Sequence, residues 1–65
     1  MIRLYEIPKE SKVYFTDESD FLIFKHIDGM YSYCEFRDEI LVHLFVNTPL
    51  EPYLDGYKII EETDE

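Results

Sequence analysis

The chain of 65 residues contains a single cysteine, Cys34, so no disulfide bond can form within it. A lone cysteine fits a reducing compartment, because small secreted domains usually carry paired cysteines. No segment comes near the roughly 18–20 consecutive apolar residues of a membrane-spanning helix. The first residues, Met-Ile-Arg-Leu-Tyr-Glu, also lack the apolar run of a signal peptide. These absences predict a soluble protein of the cytoplasm.

Basic residues are few: six Lys and Arg stand against fifteen Asp and Glu, which gives a net charge of -9. Nucleic acids and anionic membranes are bound mainly through Lys and Arg, so neither is predicted as a partner. A negative surface promotes solubility and attracts proteins with basic surfaces. The charge therefore either serves solubility alone, or marks an acidic binding face or a mimic of nucleic acid.

Helical periodicity of useful length is also missing, and short apolar runs separated by turn residues predict an all-β fold. Five strands are expected, at residues 12–16, 21–27, 30–36, 40–46 and 57–60. Pro49 and Pro52 cannot pair in the centre of a sheet, so residues 47–53 are expected to form an irregular or 3₁₀ turn. The pattern predicts one domain, a small SH3-like antiparallel barrel over residues 1–60, followed by an acidic tail at 61–65.

The strongest local signal is an Asp-Gly pair, Asp28-Gly29, between two aromatic runs. This pair predicts a hairpin with a type I′ turn, because both central residues of that turn need a positive φ. A two-residue turn at this place fixes the pairing of the strands, as Ile27–Met30, His26–Tyr31, Phe24–Tyr33, Ile23–Cys34 and Phe21–Phe36. A three-residue loop at 37–39 then places His43 opposite Tyr33.

In this pairing the two faces of the three-strand meander differ in chemistry. One face is aliphatic and holds the thiol: Phe21, Ile23, Ile27, Met30, Cys34, Phe36, Ile40, Val42, Leu44 and Val46. It is the predicted core, although Lys25 and Ser32 interrupt it, because free cysteine is among the most buried residue types. The second face carries aromatic and polar side chains: Leu22, Phe24, His26, Tyr31, Tyr33, Glu35, Leu41, His43 and Phe45. Either a terminal segment (residues 1–7 or 57–60) or the curl of the barrel covers this second face, or it is partly open and binds another protein or a second copy.

No motif for catalysis, metal binding or nucleotide binding stands out. His26, His43 and Glu35 share a face and are metal-ligand types, but neither histidine has a recognised ligand spacing, so a structural role is expected. Cys34 lies on the opposite face, which argues against a Cys-His nucleophilic pair. The acidic turn at 17–20 is too short for a calcium loop of about twelve residues. The sequence therefore predicts no enzyme, no metal and no cofactor.

Three segments resemble small accessory proteins of tailed bacteriophages. They are His26-Ile-Asp-Gly-Met-Tyr-Ser-Tyr-Cys34, then His43-Leu44, then Thr48-Pro49-Leu50. The resemblance covers most of residues 7–60 and implies a setting, namely the cytoplasm of an infected bacterium. It also implies a role against or upon host machinery, but it transfers no catalytic residue.

The leading hypothesis is a non-enzymatic phage-type interaction protein that inhibits or modulates a host defence or regulatory protein. The expected contact residues are Phe24, His26, Tyr31, Tyr33, His43 and Phe45, with Asp17, Glu18 and Asp20 at the rim. Rim charges chiefly accelerate encounter with a basic partner. The alternative is a homo-oligomer that sequesters a small ligand, such as a signalling nucleotide, between its subunits.

Overall fold

The computed structural model describes residues 1–61, apart from the side chain of Ile40. These residues form seven strands: β1 (Ile2–Arg3), β2 (Lys12–Tyr14), β3 (Phe21–Asp28), β4 (Tyr31–Phe36), β5 (Ile40–Phe45), β6 (Pro49–Tyr53) and β7 (Gly56–Ile59). A 3₁₀ helix, Leu4–Glu6, follows β1. Most of the predicted acidic tail, residues 62–65, lies outside the described residues.

All seven strands belong to one mixed sheet, in the order β1-β6-β7-β2-β3-β4-β5. Neighbouring strands are antiparallel except β2 and β7, which are parallel. The all-β class is confirmed, and β3, β4 and β5 form the predicted meander. The predicted number of about five strands is wrong, and the pairings leave β1 and β5 as edges, so they do not close the sheet into a barrel.

Strand β6 occupies residues predicted to be an irregular or 3₁₀ turn, although it contains two prolines. Pro49 is its first residue, a position at which a strand tolerates proline. Strand β1 pairs only with Pro49 and Leu50, so Pro52 lies beyond the end of β1. The missing N–H of Pro52 therefore breaks no bond to β1. The prediction failed because β6 is flanked on one side by a strand only two residues long.

The 3₁₀ helix lies instead near the start of the chain, where it is tied to the segment between β5 and β6. The Leu4 N–H donates to the Thr48 carbonyl at 3.0 Å, and the Tyr5 N–H donates to the Val46 carbonyl at 3.2 Å. The Glu6 carboxylate accepts from the Arg3 N–H at 3.0 Å and so caps the helix. These bonds place Leu4 and Ile7 in the core, where both side chains are buried.

The hairpin between β3 and β4 turns one residue later than predicted. Asp28 pairs with Tyr31, so Gly29 and Met30 are the two central residues of the turn. Gly29 has a φ of +70°, while Met30 does not enter the left-handed region. Glycine at the first central position is typical of a type II′ turn. The predicted type I′ turn at Asp28-Gly29 is therefore wrong.

A type I′ turn does occur, but between β4 and β5. Arg37 and Asp38 have φ values of 57° and 63°, and the Glu39 N–H donates to the Phe36 carbonyl at 3.3 Å. Two consecutive positive φ values define this turn type. Because Phe36 pairs with Ile40, the predicted three-residue loop is confirmed.

A β-bulge at Lys25 changes the register within β3. Phe24 pairs with Cys34 and His26 pairs with Tyr33, so β3 has one extra residue between two consecutive pairs. Without the bulge, the pairing that begins at the turn would place Lys25 opposite Cys34, on the buried face. Burying a lysine among apolar side chains is costly. The bulge lets Lys25 reach Glu10 at 2.9 Å and Glu35 at 3.7 Å instead.

The bulge also reverses the faces predicted for the first half of β3. Leu22 and Phe24 are buried, with exposed fractions of 0% and 4%, whereas Phe21 and Ile23 alternate with them and are only partly buried. The prediction that Leu22 and Phe24 lie on the second face is therefore wrong. The predicted core positions of Phe21, Ile23, Ile27 and Met30 are wrong as well, since Ile27 and Met30 are exposed.

The face assignment of β4 and β5 is confirmed. Cys34 is fully buried, and Phe36, Val42 and Leu44 pack against the core. The side chain of Ile40 lies outside the described part. The buried side chains of the whole core are Leu4, Ile7, Val13, Leu22, Phe24, Cys34 and Leu50. The polar side chain of Ser32 is also fully buried. Its hydroxyl donates to the Leu44 carbonyl at 3.1 Å.

A glycine-to-alanine pair tests how tightly β7 packs against β2. A Cβ atom at Gly56 would lie 2.4 Å from the Lys12 carbonyl oxygen, so Gly56→Ala must displace backbone and should lower the free energy of unfolding by about 2–3 kcal/mol. At Gly29 a Cβ atom meets nothing within 4 Å, and Gly29→Ala carries only the left-handed strain of about 1–2 kcal/mol. Urea unfolding measures both variants. A Gly56→Ala variant that is as stable as wild type would contradict the close packing.

Candidate interaction surface

The outer side of the meander forms a surface that we call the aromatic face. Its members are His26, Tyr31, Tyr33, Leu41, His43 and Phe45. Register brings them together, because Tyr31 pairs with Phe45, Tyr33 with His43 and His26 with Tyr33. The terminal segments pair elsewhere: β1 with β6, and β7 with β6 and β2. Of the two alternatives left by the sequence, the described residues thus show the open face.

A ladder of three rings crosses the strands at the centre of this face. The His26 and Tyr33 rings have centroids 4.7 Å apart at 88°, and the Tyr33 and His43 rings have centroids 4.8 Å apart at 87°. These edge-to-face contacts match the favoured geometry of aromatic pairs. Beside the ladder, the Tyr31 and Phe45 rings are 6.0 Å apart. The face is therefore preorganised by contacts among its own side chains.

The hydroxyl of Tyr33 is held at the edge of the ladder. It donates to the Asp28 carboxylate at 3.1 Å. The hydrogen bond to Asp28, together with its negative charge, raises the pKa of Tyr33 above its ordinary value. Tyr33 is therefore a neutral phenol that donates a hydrogen bond at physiological pH.

Exposure varies across the face and is greatest near its margins. Tyr31, Leu41 and Phe45 are 52%, 61% and 40% exposed, both histidines are exposed, and Tyr33 is partly buried. Leu41 was not among the predicted contact residues, although its alternation with His43 and Phe45 along β5 places it on the same side. Of the predicted aromatic contacts, Phe24 alone lies elsewhere, since the bulge turns it into the core.

The acidic turn predicted as a rim lies at the opposite end of the meander from Tyr31 and Phe45. Its carboxylates are bonded within the fold. Asp20 accepts from the Arg37 guanidinium at 2.9 Å, next to the turn between β4 and β5. Glu18 accepts from Tyr53 at 2.8 Å and from Lys58 at 2.9 Å. Asp17 accepts from the N–H and hydroxyl of Ser19. All three carboxylates thus accept hydrogen bonds from other residues of the same chain, which gives them a structural role.

A groove of about 620 Å³ lies on another part of the surface, between the first segment of the chain and the β6–β7 hairpin. Lys12, Leu54, Asp55 and Tyr57 contribute to its lining. Its cation is already paired, because Lys12 lies 2.8 Å from Asp55. Lys25 and Lys58 are likewise paired with carboxylates. An anionic small ligand would have to displace these bonds.

Chemistry at the remaining reactive groups is limited. Within residues 1–61, no three His, Cys, Asp or Glu side chains are grouped to hold a metal ion. Cys34 is fully buried, and burial raises the pKa of its thiol above the ordinary value. A thiol that is both buried and protonated is a weak nucleophile.

No match to this chain is found among protein-family models, curated proteins or solved structures. The described part of the chain contains no helix that is both long and apolar enough to cross a membrane.

The bonds of Glu18 predict a pH dependence of stability. Hydrogen bonds from Lys58 and Tyr53 hold the pKa of Glu18 below its ordinary value of 4.5. Its stabilising contribution is therefore complete above the unfolded-state pKa and is lost as the pH falls through the lower folded-state pKa. Glu18→Gln should lower the urea midpoint at pH 6, and its deficit relative to wild type should shrink toward pH 3.

The control for this titration is Glu39→Gln, which removes one negative charge from the turn between β4 and β5. The comparison corrects for any general effect of net charge on the unfolding midpoint. A Glu18→Gln deficit that stays constant between pH 6 and pH 3 would show that Glu18 does not stabilise the fold through its ionised form.

Proposed function

We propose that the protein is a non-enzymatic interaction protein that binds a basic protein through the aromatic face. The observation that carries this proposal is a preorganised ladder of His26, Tyr33 and His43 over which none of the described strands packs. A sheet that packs only one face normally presents polar side chains on the other. Exposed contiguous aromatic side chains instead favour a contact surface.

The residue types of the face suit a protein partner. Tyrosine is enriched among the side chains that dominate binding energy, because it offers a large contact area with few rotatable bonds. The ring contacts already restrict Tyr31 and Tyr33, so less side-chain entropy is lost on binding. The hydroxyl of Tyr33 and both imidazoles also offer hydrogen bonds inside an otherwise apolar patch.

The charge of the chain favours a basic partner. A net charge of -9 on 65 residues attracts a cationic surface and accelerates encounter. Arginine is the best suited cation, because its guanidinium stacks on tyrosine rings and is weakly hydrated. Arg37 adopts such a position within the fold, 5.0 Å from the centroid of the Phe36 ring.

The resemblance of residues 26–34 to small phage proteins supports a setting in the host cytoplasm, where the partner would be a host defence or regulatory protein. In such a role the protein inhibits or modulates its partner by occupying a basic surface. The meander β3–β5 would correspond to the central strands of an SH3-like barrel. The alternative function, sequestration of a nucleotide between subunits, has less support because the nearby lysines are already paired.

A capture experiment with two matched tyrosine variants tests the proposal. Tyr31 and Tyr5 are equally exposed, at 52% and 53%, but only Tyr31 lies on the aromatic face. Immobilised wild-type protein should capture a basic protein from a nuclease-treated bacterial lysate, and high salt should weaken the capture. Tyr31→Ala should weaken it more than about tenfold, as expected for a hot-spot tyrosine, while Tyr5→Ala should retain it.

Circular dichroism shows whether each variant is folded before its capture is compared. Equal loss of capture by Tyr31→Ala and Tyr5→Ala would contradict a role for the aromatic face. Full capture by Tyr31→Ala would do so as well. If the nuclease treatment abolished capture by wild type, the protein partner would be replaced by a nucleic acid.

A further inference from the structure

Strand β5 is an edge strand without the usual protection. It pairs with β4 on one side only. Its six residues, Ile-Leu-Val-His-Leu-Phe, include no acidic residue, lysine, proline or glycine. Natural edge strands are commonly shortened, bulged or charged, because an open edge is a template for another strand. The opposite edge, β1, follows that rule with only two residues.

The backbone direction of β5 follows from its bonds to β4. The Val46 N–H donates to the Met30 carbonyl at 2.9 Å and so points toward β4. Because these groups alternate along an antiparallel strand, the N–H and carbonyl groups of residues 40, 42 and 44 also point toward β4. Those of Leu41, His43 and Phe45 therefore point outward from the sheet. The Phe45 carbonyl already accepts from the Thr48 N–H at 2.9 Å.

We propose that the protein forms a symmetric dimer in which β5 pairs antiparallel with β5 of a second copy. Centred on His43, the pairing sets His43 opposite His43 of the second copy. Leu41 of each copy then lies opposite Phe45 of the other. In this register the N–H and carbonyl of His43 bond to those of His43 in the second copy, and each Phe45 N–H meets a Leu41 carbonyl. The Phe45 carbonyl keeps its bonds from the N–H and hydroxyl of Thr48. The interface is isologous, as a twofold axis requires.

Three features favour a second copy over a foreign strand. The outward backbone groups belong to the same three residues in both copies, so the pairing centred on His43 is symmetric without a register slip. Leu41 and Phe45, which are 61% and 40% exposed, become cross-strand neighbours and remove apolar surface from water. Because β5 itself carries no charged residue, two strongly acidic chains meet along a strand that sets no like charges opposite each other.

Edge pairing leaves the aromatic face open, since its bonds lie in the plane of the sheet. The ladder would continue across the twofold axis, from His26, Tyr33 and His43 to the same residues of the second copy. The dimer would thus present one aromatic face of double width. The dimer proposal is independent of the proposed function, because self-association can be measured on the pure protein without any partner.

The solution mass tests the dimer directly. An interface limited to one strand edge is small, and small interfaces are typically weak or transient. Sedimentation equilibrium should show a mass that rises with concentration toward twice the 7.9 kDa of one chain. High salt should strengthen the association, because each chain carries a charge of -9. A mass that stays monomeric up to millimolar concentration would overturn the proposal.

Matched variants locate the interface. His43→Glu sets two carboxylates opposite each other and should weaken dimerisation more than about tenfold. His26→Glu makes the same change on the same face, two strands from the edge, and should leave the dimer nearly intact. If both variants weaken it equally, the copies associate face to face and edge pairing is wrong.

A backbone variant separates the strand edge from the side chain. His43→Pro removes an outward N–H and takes no hydrogen bond from β4, which is the arrangement in which edge strands tolerate proline. With a native circular dichroism spectrum, this variant should be monomeric. A folded, fully dimeric His43→Pro would overturn the edge pairing. If His43→Pro unfolds, the comparison of His43→Glu with His26→Glu still distinguishes edge pairing from face-to-face association.

Discussion

The bulge at Lys25 is the constraint on which the rest of the structure depends. It places a phenylalanine instead of a lysine opposite Cys34, so the same strand supplies core side chains before the bulge and one surface ring, His26, after it. The preceding loop holds this geometry, since Glu10 donates its N–H to the Phe24 carbonyl at 2.7 Å and Ser11 accepts from the Phe24 N–H at 2.9 Å. The Lys25 ammonium also forms an ion pair with the Glu10 carboxylate at 2.9 Å. The bulge thus lets β3 supply Leu22 and Phe24 to the core and His26 to the aromatic face.

Charged side chains compensate for the small core. A domain of this size buries only about 60% of its unfolded surface, and isolated exposed ion pairs are worth about 0–1 kcal/mol each. Here the pairs join segments that are distant in sequence. Glu18 reaches Tyr53 and Lys58, and Asp55 accepts from Lys12 and Tyr14. Lys12, Lys25, Arg37 and Lys58 are all paired with carboxylates. Because acidic residues far outnumber basic ones, a net negative charge remains on the surface, where it can act on a partner.

The meander, its three-residue loop and the pairing of Tyr33 with His43 follow from apolar runs and turn spacing, and all three are confirmed. The faces of β3 do not follow, because strict alternation hides a bulge. Lys25 was nevertheless a visible signal, since it interrupted an otherwise apolar predicted core face. Strand β6 was missed because proline is forbidden only where its nitrogen meets a partner strand, and no local pattern shows that β1 pairs with Pro49 and Leu50 alone. The acidic turn was predicted as a rim because the sequence shows its carboxylates but not their partners. The residues that bond Glu18 and Asp20 are distant in sequence.

Stability alone does not account for the outer side of the meander. Polar residues at 31, 41 and 45 would serve a one-sided sheet equally well and would reduce the risk of aggregation. Instead the chain carries Tyr31, Leu41 and Phe45 there, and it bears a net charge of -9 that keeps such a surface soluble. The same charge disfavours indiscriminate association between copies, so only geometrically specific contacts can form. An open aromatic face beside an uncharged edge strand, on an otherwise acidic domain, is therefore the feature on which the proposed binding role depends.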